Sequence, residues 1–116
     1  MSFEGIHNAY FLGIGGIGMS ALARWFQHAG MIVSGYDRTP SPLTDQLIAE
    51  GMTVNFVDVV DAIPESIKSN PAQSLIIWTP AMPADSAQLN YFRQQSFQLK
   101  KRSEILGMVT STFYTI

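Results

Sequence analysis

The sequence predicts an α/β domain: an open, parallel, five-stranded sheet with helices on both faces. Three observations point to it. Short apolar runs alternate with helical patterns from end to end, and a glycine-rich turn joins the first run to the first helix. The third is composition, with 47% of the 116 residues hydrophobic and only 14% charged. So much apolar side chain beside so little charge suits strands buried on both faces. The length fits one hydrophobic core, so residues 1–116 read as a single domain.

Each element has its own signal. Ala9 to Leu12 is an apolar run stopped by Gly13, a buried first strand. Met19 to His28 carries a helical pattern with Leu22, Trp25 and Phe26 on one face and Gly30 as its stop. Met31 to Tyr36 forms the second strand, ending at Asp37. Ser41 caps the next helix and Pro42 takes its first position, with Leu43, Leu47 and Ile48 following and Gly51 ending it. Thr53 to Val57 reads as a short third strand. A small helix is expected around Pro64 to Ile67, then a loop at Asn70-Pro71. Leu75 to Trp78 is the most strand-like run, closed by Thr79-Pro80. A helix over Ser86 to Gln95 and a strand over Phe97 to Lys100 continue the alternation. Ser103 is expected to cap a last helix through Ile105, Leu106 and Val109.

Composition also excludes function classes. A net charge of −2 argues against nucleic acid as a partner. No apolar run is long enough to span a membrane, and the first residues show no signal-peptide pattern. Cysteine is absent, which removes disulfides and thiol nucleophiles and fits a cytoplasmic setting. The two histidines, His7 and His28, sit in no spaced ligand cluster, so no metal site is expected. After Gly51 the only glycine is Gly107, so no phosphate-binding P-loop can form within the chain.

The chemistry concentrates in the first turn. Gly13, Gly15 and Gly18 match G-x-G-x-x-G between a strand and a helix, the Rossmann-like arrangement that brings backbone close to a diphosphate. Amides at the helix start, with the helix dipole, favour the anion. Gly15 is the expected point of closest approach. Asp37 ends the second strand about 20 residues further on, where a carboxylate takes a ribose diol. With strand order 3-2-1-4-5, the segment Thr79 to Pro83 lies at the switch point, so Thr79 and the backbone around Ala81 face a base or sugar. Arg102 follows the fifth strand and adds positive charge. These residues alone leave a uridine nucleotide and NAD both open, the latter as in a regulatory module.

The run Gly13-Ile14-Gly15-Gly16-Ile17-Gly18-Met19 is followed by Ser34-Gly35-Tyr36-Asp37, by Pro40 to Thr44 and by Leu47. Together with Thr79 to Met82 and Arg102 to Leu106, it resembles the N-terminal domain of the Mur ligases over nearly the whole chain. The resemblance implies part of a bacterial cytoplasmic enzyme that uses ATP to join L-alanine to the lactyl carboxylate of UDP-N-acetylmuramate in peptidoglycan synthesis. It implies that this domain holds the UDP moiety with no cofactor of its own. ATP and magnesium would belong to a central domain outside the chain, and the isolated domain would be inactive. Carried over, Gly15, Gly16, Ile17, Gly18, Met19 and Ser20 would cradle the diphosphate, Asp37, Thr79 and Ala81 would face the uridine, and Arg102 would sit near the phosphates. A relative that recycles a cell-wall tripeptide typically interrupts the glycine run that is intact here. Three departures stand out: Val57-Asp58 where the family often has histidine, Thr79-Pro80 where it has paired serines, and Phe97-Gln98-Leu99 where it has a central proline.

Overall fold

Alternation along each strand decides the architecture. Ala9 and Phe11 join one buried cluster, while Tyr10 and Leu12 join another on the opposite face. Leu75 and Ile77 divide from Ile76 in the same way. The computed structural model describes residues 5–107. The elements are β1 (Asn8–Leu12), α1 (Ile17–His28), β2 (Ile32–Tyr36), α2 (Pro42–Ala49), β3 (Thr53–Asn55), α3 (Glu65–Lys68), β4 (Ser74–Trp78), α4 (Ala87–Gln94) and β5 (Gln98–Lys101). A further helix, α5, occupies residues 102–107. Short 3₁₀ turns cover Val60–Ala62 and Pro71–Gln73.

The five strands form one all-parallel sheet in the order β3-β2-β1-β4-β5. Asn8 pairs with Ile32 on one side and Ser74 on the other, so β1 is central and fully buried. One face packs Met19, Leu22, Ala23 and Phe26 of α1 with Leu47 of α2 and Ile105 of α5. The other packs Ile67 of α3 with Leu89 and Phe92 of α4. The α/β class, the parallel sheet and the helices on both faces are as the sequence predicts.

Local chemistry sets the helix ends. Both glycine stops build full Schellman closures with positive φ. Met31 N–H donates to Phe26 O and Gly30 N–H to Gln27 O, while Met52 N–H donates to Leu47 O and Gly51 N–H to Ile48 O. Ser41 forms a capping box in which its hydroxyl accepts from Thr44 N–H and Thr44 Oγ1 accepts from Ser41 N–H.

Some boundaries differ from the sequence reading. β3 stops at Asn55, because β2 ends opposite it at Tyr36 and leaves nothing to pair. Asn70-Pro71 opens a 3₁₀ turn rather than a plain loop. β5 lies one residue later, since Phe97 packs into the core against Phe92. Ser103 does not cap α5. The helix begins at Arg102, and Glu104 Oε1 reaches back to accept from Lys101 N–H at 2.9 Å. Val109 lies outside the described residues.

A buried polar network ties β1, β3 and α4 together. Tyr10 Oη donates to Gln88 Oε1 and accepts from Asn55 Nδ2, both at 2.7 Å. Gln88 Nε2 donates to Asn55 Oδ1 and to the carbonyls of Val57 and Val59. Asp58 accepts from Gln88 N–H at 2.9 Å and so caps α4 beside Ser86. Every buried side-chain polar atom among the described residues has a partner.

Candidate functional site

The turn after β1 is best understood by following its amides. Gly13 N–H and Ile14 N–H both donate to Tyr36 O, at 2.7 and 3.0 Å. Gly16 N–H donates to Gly13 O, and Gly13 has φ +95°, a conformation open to glycine. Gly15 N–H donates to Asp37 Oδ1 at 3.0 Å. The helix ladder opens with Ser20 N–H on Gly16 O. Between these, the amides of Ile17, Gly18 and Met19 have no partner among the described residues, and no side chain caps the helix. Three donors at the positive end of a 12-residue helix therefore point outward.

Arg102 faces them. A Cβ built on Gly18 would stand 2.7 Å from Arg102 Nη1, so the guanidinium lies over the helix start in space that only glycine leaves open. Its neighbours in sequence go elsewhere. Lys100 and Lys101 belong to β5, and Lys101 Nζ lies 5.7 Å from the Trp78 ring, which Arg93 also approaches at 4.8 Å.

Across the turn, Asp37 is fixed at both oxygens: Oδ1 accepts from Gly15 N–H and Oδ2 from Thr39 N–H. Each oxygen keeps a further lone pair for a ligand hydroxyl. After β4, Thr79 O accepts from Met82 N–H and Thr79 Oγ1 accepts from Ala81 N–H at 3.3 Å, closing a turn at residues 79–82. The Ala81 amide is thus engaged locally.

These groups surround a cavity of about 790 Å³ at the carboxyl ends of the strands, within the range of small-molecule sites. Of the residues singled out from sequence, Gly13, Gly16, Gly18, Met19, Asp37, Thr79, Ala81 and Arg102 line it. Gly15, Ile17 and Ser20 do not. A Cβ on Gly15 would meet Asp37 Oδ1 and Thr44 Cγ2 at 2.9 Å, so this glycine serves close packing under the loop, and its φ is not positive. The Ile17 side chain is 86% exposed, and Ser20 Oγ donates to Ile17 O inside the helix. Pro80, Met82 and Pro83, in the segment expected at the switch point, also line the cavity, as do Leu12, Tyr36 and Arg38, for which the sequence suggested no role. Arg38 and Tyr36 flank Asp37 directly, and that adjacency was their signal.

The description "Mur ligase family, catalytic domain" matches residues 8–114. The chain belongs to the Mur ligase family. Among curated relatives, this Mur ligase chain is 56% identical over 101 residues to the UDP-N-acetylmuramate–L-alanine ligase of Porphyromonas gingivalis, covering 87% of the chain and 22% of that protein. It is 48% identical over 116 residues to the enzyme of the same name from Cytophaga hutchinsonii, covering 100% of the chain and 25% of that protein. The chain thus spans about a quarter of these relatives. The solved UDP-N-acetylmuramate–alanine ligase of Thermotoga maritima matches with a TM-score of 0.77 and 25% identity, covering 90% of this chain and 23% of that one. A murein peptide ligase from Psychrobacter arcticus shares the fold, with a TM-score of 0.74 at 22% identity over 88% of this chain and 20% of that one.

Proposed function

We propose that this Mur ligase chain binds the UDP moiety of UDP-N-acetylmuramate, as the substrate-holding part of the ATP-dependent ligase that adds L-alanine in peptidoglycan synthesis. One observation carries the reading: the unpartnered amides of Ile17, Gly18 and Met19 open α1 where Gly18, Met19 and Arg102 line the cavity, with the Arg102 guanidinium over Gly18. Oriented N–H groups, a helix dipole and a guanidinium together suit a diphosphate. Asp37, already oriented by two amides, takes the ribose hydroxyls. The names of the relatives support the sugar nucleotide over other diphosphates.

The residues of this chain supply no P-loop, so ATP, magnesium and L-alanine are handled by other parts of a longer enzyme in the bacterial cytoplasm. The chain alone binds substrate and does not turn it over. No helix among the described residues is long and apolar enough to cross a membrane.

Titration with UDP-N-acetylmuramate, UDP and NAD tests the reading. At one hundred times its dissociation constant a ligand stabilises the fold by about 2.7 kcal/mol. For a domain of this size that raises Tm by roughly 10 °C. The expected result is such a rise with UDP and little with NAD. A rise with NAD and none with UDP would instead favour a nicotinamide-binding regulatory module. Relatives that recycle a cell-wall tripeptide also carry the UDP sugar, so the amino acid or peptide joined is read from turnover by the longer enzyme.

A further inference from the structure

The cavity straddles the end of the sheet. Its anion side, with Gly16, Gly18, Met19 and Arg102, belongs to the face covered by α1. Its other side is lined by Leu12, Tyr36 and Met82, all in the cluster on the opposite face. Tyr36 is the polar member of that apolar side. The residue is only 8% exposed, yet its hydroxyl makes no hydrogen bond among the described residues. Every buried side-chain oxygen among the described residues has a partner, so the unpartnered Tyr36 oxygen keeps access to solvent, and Tyr36 itself lines the cavity. A tyrosine buried to this degree normally finds a partner for its hydroxyl. Tyr10 does so twice on the same sheet face. The hydroxyl also stays in its donor form: burial, then Asp58 and Asp37, push its pKa above the usual tyrosine range, against a smaller opposing pull from Arg38.

We propose that Tyr36 is a specificity-determining residue whose hydroxyl hydrogen-bonds the polar edge of the nucleobase, while Leu12 and Met82 pack against the base. This rests on the UDP reading above and adds the group that distinguishes the nucleoside end. The anion groups lie on the α1 side, so a bound nucleoside diphosphate places its base on the Tyr36 side. A pyrimidine ring offers carbonyl oxygens there, and a phenol is a suitable donor to them.

The test is Tyr36→Phe, which removes one oxygen that has no protein partner. Unliganded Tm should therefore stay unchanged. By calorimetric titration, UDP binding should weaken about three- to tenfold, as for loss of one neutral hydrogen bond. Binding of ribose 5-diphosphate, the same molecule without its base, should not change. Equal UDP affinity in the two proteins overturns the assignment of Tyr36 and leaves the UDP reading standing. An equal loss for ribose 5-diphosphate also overturns it, because the hydroxyl would then serve the sugar or the shape of the cavity. If the unaltered chain binds no UDP, the UDP reading itself falls, and Tyr36 as a base contact falls with it.

Discussion

The amide of Gly15 and the carboxylate of Asp37 are joined by a 3.0 Å hydrogen bond that pins the glycine-rich turn to the end of β2. Asp37 therefore has two tasks, fixing the loop from beneath and presenting its remaining lone pairs to the cavity. The second glycine of the motif is kept small by Asp37 and Thr44, which stand where its side chain would go. Gly16, next in sequence, faces only ordinary contacts: a Cβ there would lie 3.5 Å from Gly13 O and 3.8 Å from Met19 Cγ.

Gly15→Ala and Gly16→Ala should consequently differ in stability. At Gly15 the new methyl meets a carboxylate held by two hydrogen bonds and a fully buried threonine, and overpacking of this kind costs about 1–3 kcal/mol. Thermal melts followed by circular dichroism should show Tm lower by roughly 5–10 °C. Gly16 has φ −68°, which alanine adopts freely, so its variant should melt close to the parent. Equal melting of the two would mean that Asp37 and Thr44 give way without cost.

Arg102→Ala should leave the fold intact and weaken UDP. The guanidinium makes no ion pair with a described carboxylate and rests on Gly18 at the cavity. Loss of a charge-assisted bond to a diphosphate costs about 1.5–3 kcal/mol, or roughly 10- to 150-fold in Kd. Calorimetric titration at two salt concentrations checks it. The parent should lose more affinity with added salt than the variant.

Tyr10→Phe should have the opposite profile. Its hydroxyl bonds Gln88 and Asn55 in the core, so removal leaves buried amide groups unsatisfied at a cost of about 2–3 kcal/mol. Urea unfolding should show the midpoint falling with the slope unchanged. UDP affinity of the folded fraction should be retained, since Tyr10 does not line the cavity.

Alkaline pH should act through the same residue. Burial, with a smaller contribution from Asp58, pushes the Tyr10 pKa well above its usual value of 10, even though the hydrogen bond from Asn55 pulls it down. Above pH 10 the unfolded chain releases this proton and the folded chain keeps it. Unfolding is then favoured as pH rises, by up to about 1.4 kcal/mol per pH unit for one group. The tyrosine contribution is thus fully present below pH 10 and declines above it. Urea titrations from pH 8 to 11 should show that decline, and it should be shallower in Tyr10→Phe.

The sequence by itself determined what neighbouring residues control. The continuous apolar run from Ala9 to Leu12 marked a buried strand, and Gly30, Gly51 and Ser41-Pro42 marked helix ends, because capping is chemistry within a few residues. The spacing of Gly13, Gly15 and Gly18 located the turn that borders the cavity for the same reason. Only the tertiary structure decided which amides remain free. Those of Gly13, Ile14 and Gly15 are consumed by Tyr36 and Asp37, which reach them only because Leu12 and Tyr36 are in register across β1 and β2. It also decided that Arg102 rather than Lys101 covers Gly18, that Asp58 caps α4, and that Tyr36 lines the cavity. Each of these joins residues far apart in the chain. Their meeting is set by strand register and by burial of both sheet faces at once, which no local pattern encodes.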